Sequence, residues 1–211
     1  MLFQTTAAHE ELRAKIRSFA EEEIKPLAFL MDQNNEFPEE AVKKLGKLGW
    51  MGIPYPKEYG GAGLDALSYA IAVEELARVD GGAGVILSAH VSLGSWPIFA
   101  YGTEEQKKKY LVPLAKGEKI GAFGLTETNA GSDAGGTETT ALDKGTTTSS
   151  TAARSSLPTP LRRTPMWFSP SPRRTSAPGA SPLSSWRRAG RALSSATTMT
   201  RWVFAPPPRR S

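Results

Sequence analysis

The residues with the most chemical content lie between 121 and 136, Gly-Ala-Phe-Gly-Leu-Thr-Glu-Thr-Asn-Ala-Gly-Ser-Asp-Ala-Gly-Gly. Ala122 to Thr126 reads as a short strand, and the small residues after it read as a loop. Such a loop lets backbone N–H groups approach an anion closely, and Ser132 adds a hydroxyl donor. Thr126, at the strand end, can direct a hydroxyl at a flat heterocycle. The competing reading is a β-turn in which Ser132 or Asp133 caps its own backbone. On residue chemistry alone the turn is the commoner outcome, because small-residue loops occur in any fold. Other candidates are weaker. His9 and His90 are two distant histidines and make no metal site. Tyr59 to Gly63 lacks the Lys and Ser/Thr of a phosphate loop. No Ser–His–Asp or paired-carboxylate grouping follows from spacing.

The elements that must position the motif are helical. From Glu10 to Met31 the apolar residues Leu12, Ile16, Phe19, Ala20, Ile24, Leu27 and Leu30 fall three or four apart, which predicts an amphipathic helix. Pro26 should kink or interrupt it. Phe37-Pro38-Glu39-Glu40 reads as the start of a second helix that runs through Leu48 and stops at Gly49. Tyr55 to Gly63 is rich in turn residues, and helical spacing returns from Leu64 to Arg78. Ala83 to Tyr101 carries no Lys, Arg, Asp or Glu and reaches the length of a membrane span. It also holds His90, three serines and Pro97 and has no basic flanks, so a buried central helix of a bundle is expected. Thr103 should cap a further helix to about Ala115, and strands should begin near Ile120. The expected fold class is α+β, an N-terminal all-α bundle leading into a β region. Met1 to Ala8 has no basic segment followed by an apolar one, so no secretory signal and a cytoplasmic location are expected.

Composition divides the chain in two. The 211 residues carry a formal charge of +5 and no cysteine, which excludes disulfides, thiolate chemistry and Cys-ligated metals. Residues 1–145 hold 15 basic and all 21 acidic residues, whereas residues 146–211 hold 11 arginines, no lysine and no acid. Seven residue types (Asp, Glu, Lys, Asn, Gln, His and Tyr) supply 46 of the first 145 residues and none of the last 66. All seven have adenine at the second codon position. A one-base change of frame makes the old third base the new second base, and in a GC-rich gene that base is seldom adenine. Selection for a basic tail would remove acids but has no reason to remove the other five types. A frameshift after about Gly145 is therefore expected, and residues 146–211 should be a disordered Arg/Ser/Pro-rich segment.

Gly124-Leu125-Thr126-Glu127-x-x-Ala130-Gly131-Ser132-Asp133-x-x-Gly136 resembles the signature of the acyl-CoA dehydrogenase family. Glu21 to Pro26, Leu48 to Ile53, Glu58 to Gly61, Val73 to Ala77 and Tyr101 to Lys107 fall in that family's order and spacing. The resemblance covers residues 1–145, and Val91-Ser92-Leu93 with Gly121 to Gly124 leans towards its short-chain, butyryl-CoA-like branch. One departure is Thr128, where the family usually has proline. The resemblance implies an N-terminal helical domain over 1–119, the start of a middle β-barrel domain over 120–145, and beyond them a C-terminal four-helix bundle. It implies FAD as cofactor, with Phe123, Leu125 and Thr126 against the flavin ring, Gly131 and Ser132 on the cofactor, and Ser132 near the acyl-CoA thioester. In the family a C-terminal glutamate removes the α-proton, the β-hydrogen leaves as hydride to the flavin, and an electron-transfer flavoprotein takes the electrons. A homotetramer or dimer completes the site.

The neighbouring frame can be tested against the family. Thr146 to Ala153 is compatible with an original DYYLLNGG, and Arg154 to Thr159 with KIFITN. TAT-GTG-GTT, encoding YVV, gives Met166, Trp167 and the start of Phe168 when read one base later. The chain as written would then lack the flavin-closing strand, the C-terminal bundle and the glutamate base, and is expected to be inactive. Two other readings remain. Paired arginines interleaved with Trp167, Trp186 and Trp202 could bind nucleic acid or anionic membrane, although the frame argument predicts neither partner. Residues 1–119 could also serve as a non-catalytic helical interaction module.

Overall fold

The computed structural model describes residues 4–34, 36–133, 136, 140–143, 148–151 and 166–168. The chain divides into two compact units, Met1–Thr126 with Arg154–Ser169, and Glu127–Ala153 with Pro170–Ser211.

The first unit begins with α1 (Ala7–Phe19), opened by a capping box. The Thr6 hydroxyl accepts from the His9 N–H, and His9 Nδ1 accepts from the Thr6 N–H at 3.1 Å. The helix thus starts at Ala7, three residues before Glu10, where the periodic pattern begins. It does not run unbroken to Pro26 either. A π-helical turn, Ala20–Ile24, intervenes before α2 (Lys25–Asn34), in which Pro26 is the second residue. The Lys25 N–H reaches back to the Ala20 carbonyl, five residues away. This widening displaces the carbonyl that the proline ring would otherwise strike. The same arrangement recurs twice: the π turn Ala89–Ser95 precedes Pro97, and Lys107–Leu111 precedes Pro113.

Helix α3 (Glu39–Lys47) has Glu39 and Glu40 in its first turn and Lys44 and Lys47 in its last, matching the helix dipole at both ends. It ends before Gly49, whose φ of 76° lies in the left-handed region that glycine enters without strain. Asp65 caps α4 (Ala66–Ala77) by accepting from the Ser68 N–H at 2.8 Å, and Asp80 caps α5 (Gly81–Ser88). Helix α5, the π turn Ala89–Ser95 and α6 (Trp96–Tyr101) form one continuous helix from Gly81 to Tyr101. It is long and apolar enough to cross a membrane, and one face of it lines the core through Ala83, Leu87, Val91 and Ile98. The other face leaves Val85, Leu93 and Trp96 exposed, so the expected central helix is buried on one side rather than all round. Thr103 and Gln106 form the predicted cap of α7 (Glu104–Gln106) as a second capping box, and the helix continues through the π turn to α8 (Val112–Ala115).

The core of this unit is built from Ile16, Leu45, Met51, Ile53, Tyr55, Leu76, Leu87, Leu111 and Leu114. Tyr55 is buried with its hydroxyl donating to the Val91 carbonyl at 2.6 Å, which ties the 50–63 segment to the long helix. Strand β1 (Ala122–Gly124) follows α8 and pairs in parallel with β4 (Met166–Phe168), Phe123 opposite Trp167. In the second unit β2 (Thr140–Asp143) pairs antiparallel with β3 (Thr148–Thr151). The expected order of an all-α region followed by β structure is therefore present. Two stretches of the segment expected to be disordered, β3 and β4, carry strand pairing. Pairing uses backbone groups that every non-proline residue carries, and neither stretch contains proline. The remainder of 146–211 lies outside the described residues.

Candidate functional site

Strand β1 is placed by the helix that ends at α8 and by the π turn Ala89–Ser95. His90 is fully buried and lies between them. Its Nε2 donates to the Leu114 carbonyl at 3.2 Å, and its Nδ1 accepts from the Gly121 N–H at 2.8 Å. A carbonyl only accepts and an amide N–H only donates, so the ring is neutral and carries its proton on Nε2. Burial pushes its pKa down to about 4. Beside it, a Cβ on Gly94 would stand 2.7 Å from the Gly121 backbone, so the π turn and the start of β1 meet without side chains between them.

Strand β1 ends at Gly124, two residues short of the strand expected to reach Thr126, so it carries Phe123 while Leu125 and Thr126 lead out of it. Ala122 and Gly124 are buried, whereas Phe123, Leu125 and Thr126 are half-buried in the first unit and keep part of their surface free. The apolar faces of Phe123 and Leu125 and the hydroxyl of Thr126 suit a flat ring with polar edges. The rest of the motif belongs to the second unit. Glu127 and Ala130 exchange backbone hydrogen bonds of 3.0 and 3.2 Å, which closes a turn with Thr128 and Asn129 exposed at its tip. Thr128 occupies the second position, where proline would preset φ, and the turn closes without it. Gly131 and Ser132 follow on the surface, and a Cβ on Gly131 would meet no atom within 4 Å. Gly131 is not at positive φ among the described glycines, so neither strain nor crowding within the protein requires glycine there. The open backbone edge and the Ser132 hydroxyl suit a ligand with anionic or carbonyl oxygens.

A second charged centre lies on the helices. Glu75 is 1% exposed and takes three guanidinium groups. Arg17 binds it bidentately at 2.8 Å through both contacts, Arg13 donates at 2.9 Å and Arg78 at 3.4 Å. The Arg17 hydrogen bonds, ahead of those from Arg13 and Arg78, hold the carboxyl at about 2 against the burial that raises it. This cluster joins α1 to α4 and is structural. His9 does related work nearby: its Nε2 lies 3.1 Å from Asp65, so one ring connects the caps of α1 and α4. Among the described residues no group of three His, Cys, Asp or Glu side chains could hold a metal ion.

Sequence reasoning set His90 aside as one of two distant histidines that make no metal site and missed its grip on β1. The available signal was a lone histidine in a helix without Lys, Arg, Asp or Glu, placed to need two buried partners.

The sequence pattern of the acyl-CoA dehydrogenase N-terminal domain matches residues 6–118, more than half of the chain. The chain belongs to the acyl-CoA dehydrogenase family. It is 60% identical over 145 residues to the short-chain-specific acyl-CoA dehydrogenase of Clostridium acetobutylicum, a span of 69% of this chain and 38% of that enzyme. Among solved structures it is similar to butyryl-CoA dehydrogenase from Megasphaera elsdenii, at TM-score 0.63 and 44% identity over 67% of this chain and 38% of that one. It is also similar to an acyl-CoA dehydrogenase from Bacillus anthracis complexed with FAD, at TM-score 0.68 and 38% identity over 73% and 27% of the two chains. The chain thus spans well under half the length of the relatives it matches.

Proposed function

We propose that residues 1–145 are the N-terminal helical domain (1–119) and the first part of the middle β-barrel domain (120–145) of an FAD-dependent short-chain acyl-CoA dehydrogenase. The observation that carries this reading is 60% identity over 145 residues to a short-chain-specific enzyme, together with the Gly121–Gly136 motif. The exposed parts of β1 and the open turn after it fit the cofactor's chemistry, each on its own unit. Phe123 and Leu125 offer apolar surface to the ring, Thr126 a hydroxyl at its edge, and Gly131 and Ser132 an uncrowded backbone edge with a second hydroxyl. FAD, when bound, supplies the hydride acceptor for α,β-dehydrogenation of a short-chain acyl-CoA thioester. The chain's own part is to seat the ring, shield it from water and hold Ser132 towards the thioester.

Residues 146–211 are read as the family's continuing sequence in the wrong frame. The support is compositional: all seven residue types with a central adenine codon stop together before residue 146. On this reading the intact protein is a cytoplasmic homo-oligomer, tetramer or dimer, passing electrons to an electron-transfer flavoprotein, with no nucleic-acid or membrane partner. On the same reading the family's glutamate base has no counterpart among these 211 residues, and they are expected to show no dehydrogenase activity by themselves.

Resequencing across the codons for Lys144 and Gly145, with expression of both reading frames, tests the proposal. The frame restored by one base is expected to give a yellow protein with one FAD per chain, bleached by butyryl-CoA. The written chain is expected to retain less than about a tenth of that flavin, because on this reading the flavin-closing strand and the C-terminal bundle are not encoded in its frame. Stoichiometric flavin and acyl-CoA bleaching in the written chain would overturn the frame assignment. A restored protein that binds no FAD would overturn the enzymatic one.

A further inference from the structure

The connection between α8 and β1 is short, residues 116–121, and it passes from the helices to the strand that carries Phe123 and leads on to Leu125 and Thr126. His90 bonds both ends of it. Leu114, whose carbonyl takes the Nε2 proton, lies in the last turn before the connection, and Gly121, whose N–H meets Nδ1, is the last residue before β1. The donor and acceptor therefore act in opposite senses on the two ends, and only a neutral ring with the proton on Nε2 satisfies both. The ring is fully buried, and no neighbouring charge is needed to fix it. The Gly94 contact adds a second restraint at the same point, since the backbones of Gly94 and Gly121 are in direct contact. The start of β1 is thus held against the one π turn twice, by a hydrogen bond from His90 and by backbone packing on Gly94. Phe123 lies two residues beyond that anchor and Thr126 five.

We propose that His90 is a positioning residue for the β1 motif: by bridging Leu114 and Gly121 it fixes where the strand starts and hence where Phe123, Leu125 and Thr126 are presented. It does not touch the cofactor or substrate positions itself. Its consequence for flavin rests on the proposed function, but the tether does not. A one-residue slip of β1 would turn its buried and half-buried faces over, and the anchor two residues before Phe123 prevents that slip. A leucine at 90 would fill the space but leave the Gly121 N–H without its partner, whereas the Leu114 carbonyl keeps the Gly117 N–H at 2.8 Å. Asparagine keeps an acceptor on the short side of the ring's reach, close to where Nδ1 sits, and loses the contact to Leu114.

The test uses the full 211-residue chain with no flavin present, so its failure is separate from failure of the enzymatic reading. In the parent protein, ¹⁵N NMR should show a scalar coupling across the hydrogen bond between the Gly121 amide nitrogen and His90 Nδ1. In His90→Leu the amides of Gly121 and Ala122–Gly124 should exchange with solvent at least tenfold faster, while those of α4 and α5 stay within about twofold. In His90→Asn the β1 amides should return to within about threefold of the parent. Absence of the coupling overturns the proposal, and it needs no variant to fold. Uniform acceleration of all amides in His90→Leu, which is what general core damage produces, also overturns it. So does an Asn variant no better protected at β1 than the Leu variant.

Discussion

The α1–α4 contact and the α8–β1 contact solve the same problem with opposite chemistry. Between α1 and α4 a buried carboxylate, Glu75, is held by three arginines, with His9 against Asp65 at the capped ends. At the start of β1 no charge is used: a neutral His90 ring and a glycine–glycine approach hold the strand. The charged contact joins two long rigid elements whose side chains can reach out to one another. The neutral contact holds a short strand whose backbone packs directly on a helix with no side chain between them. A charge inserted there would have to be desolvated with nothing opposite to pair with it. The difference explains why one region tolerates partly exposed arginines and the other is fully buried.

Removing Glu75 should produce the largest effect. Glu75→Ala leaves three guanidinium groups without their shared partner and removes the central tie between α1 and α4, at a cost of about 3–4 kcal/mol, the lower part of the range for breaking a buried ion pair. The value is held down because Arg17 and Arg78 are half-exposed and can return to water. Urea denaturation followed by helical circular dichroism measures it, and a loss below about 1 kcal/mol would place the cluster among ordinary surface pairs.

Acid separates the two regions by pH window. His90 has its pKa lowered from 6.5 to about 4, so its contribution is complete above 6.5 and is lost as pH falls through about 4. That amounts to about 3 kcal/mol over the whole interval, at up to about 1.4 kcal/mol per pH unit. Glu75 is lowered from 4.5 to about 2, so its contribution is complete above 4.5 and disappears only as pH falls through about 2. Between pH 6.5 and 4.5 the parent should therefore lose stability relative to His90→Asn, while Glu75→Ala and the parent run in parallel. Parallel curves for the parent and His90→Asn would show that folding leaves the pKa of the ring unchanged.

The smallest of these effects is the most local. Gly94→Ala puts a methyl 2.7 Å from the Gly121 backbone and should cost about 2 kcal/mol, in the usual range for overpacking. Hydrogen exchange should show the loss concentrated at Gly121 to Gly124, with α1 and α4 unchanged. A neutral substitution would mean that β1 can move away freely, and would weaken the contrast with the charged contact.

Much of the helical part was legible. Thr103 with Gln106, the stop at Gly49 and the amphipathic spacing through Ile16 and Phe19 each depend on residues within one helical turn of each other. The prolines were legible only in part. Pro26 announces an interruption, but not that the chain answers it with a π turn placed before the ring, as it does again before Pro97 and Pro113. The one-sided burial of the long helix was not legible, because a run without charges looks the same whether one face or both are covered. The motif at the candidate site could be read as a strand and a loop of small residues. Its partial exposure on β1 and the open side of Gly131 could not.

By itself the sequence determined the capped helices, the strand–loop motif with its family resemblance, and the break in composition after Gly145, because each is a property of neighbouring residues or of composition. Only the tertiary structure decided what Glu75 and His90 are for. Arg17 meets Glu75 from 58 positions away, and His90 meets Gly121 from 31. Over such separations the residue types say that a buried acid or imidazole needs a partner, but not which one. Chain packing supplies that choice, and it turned a glutamate in an ordinary helix into a clamp and an isolated histidine into the anchor of β1.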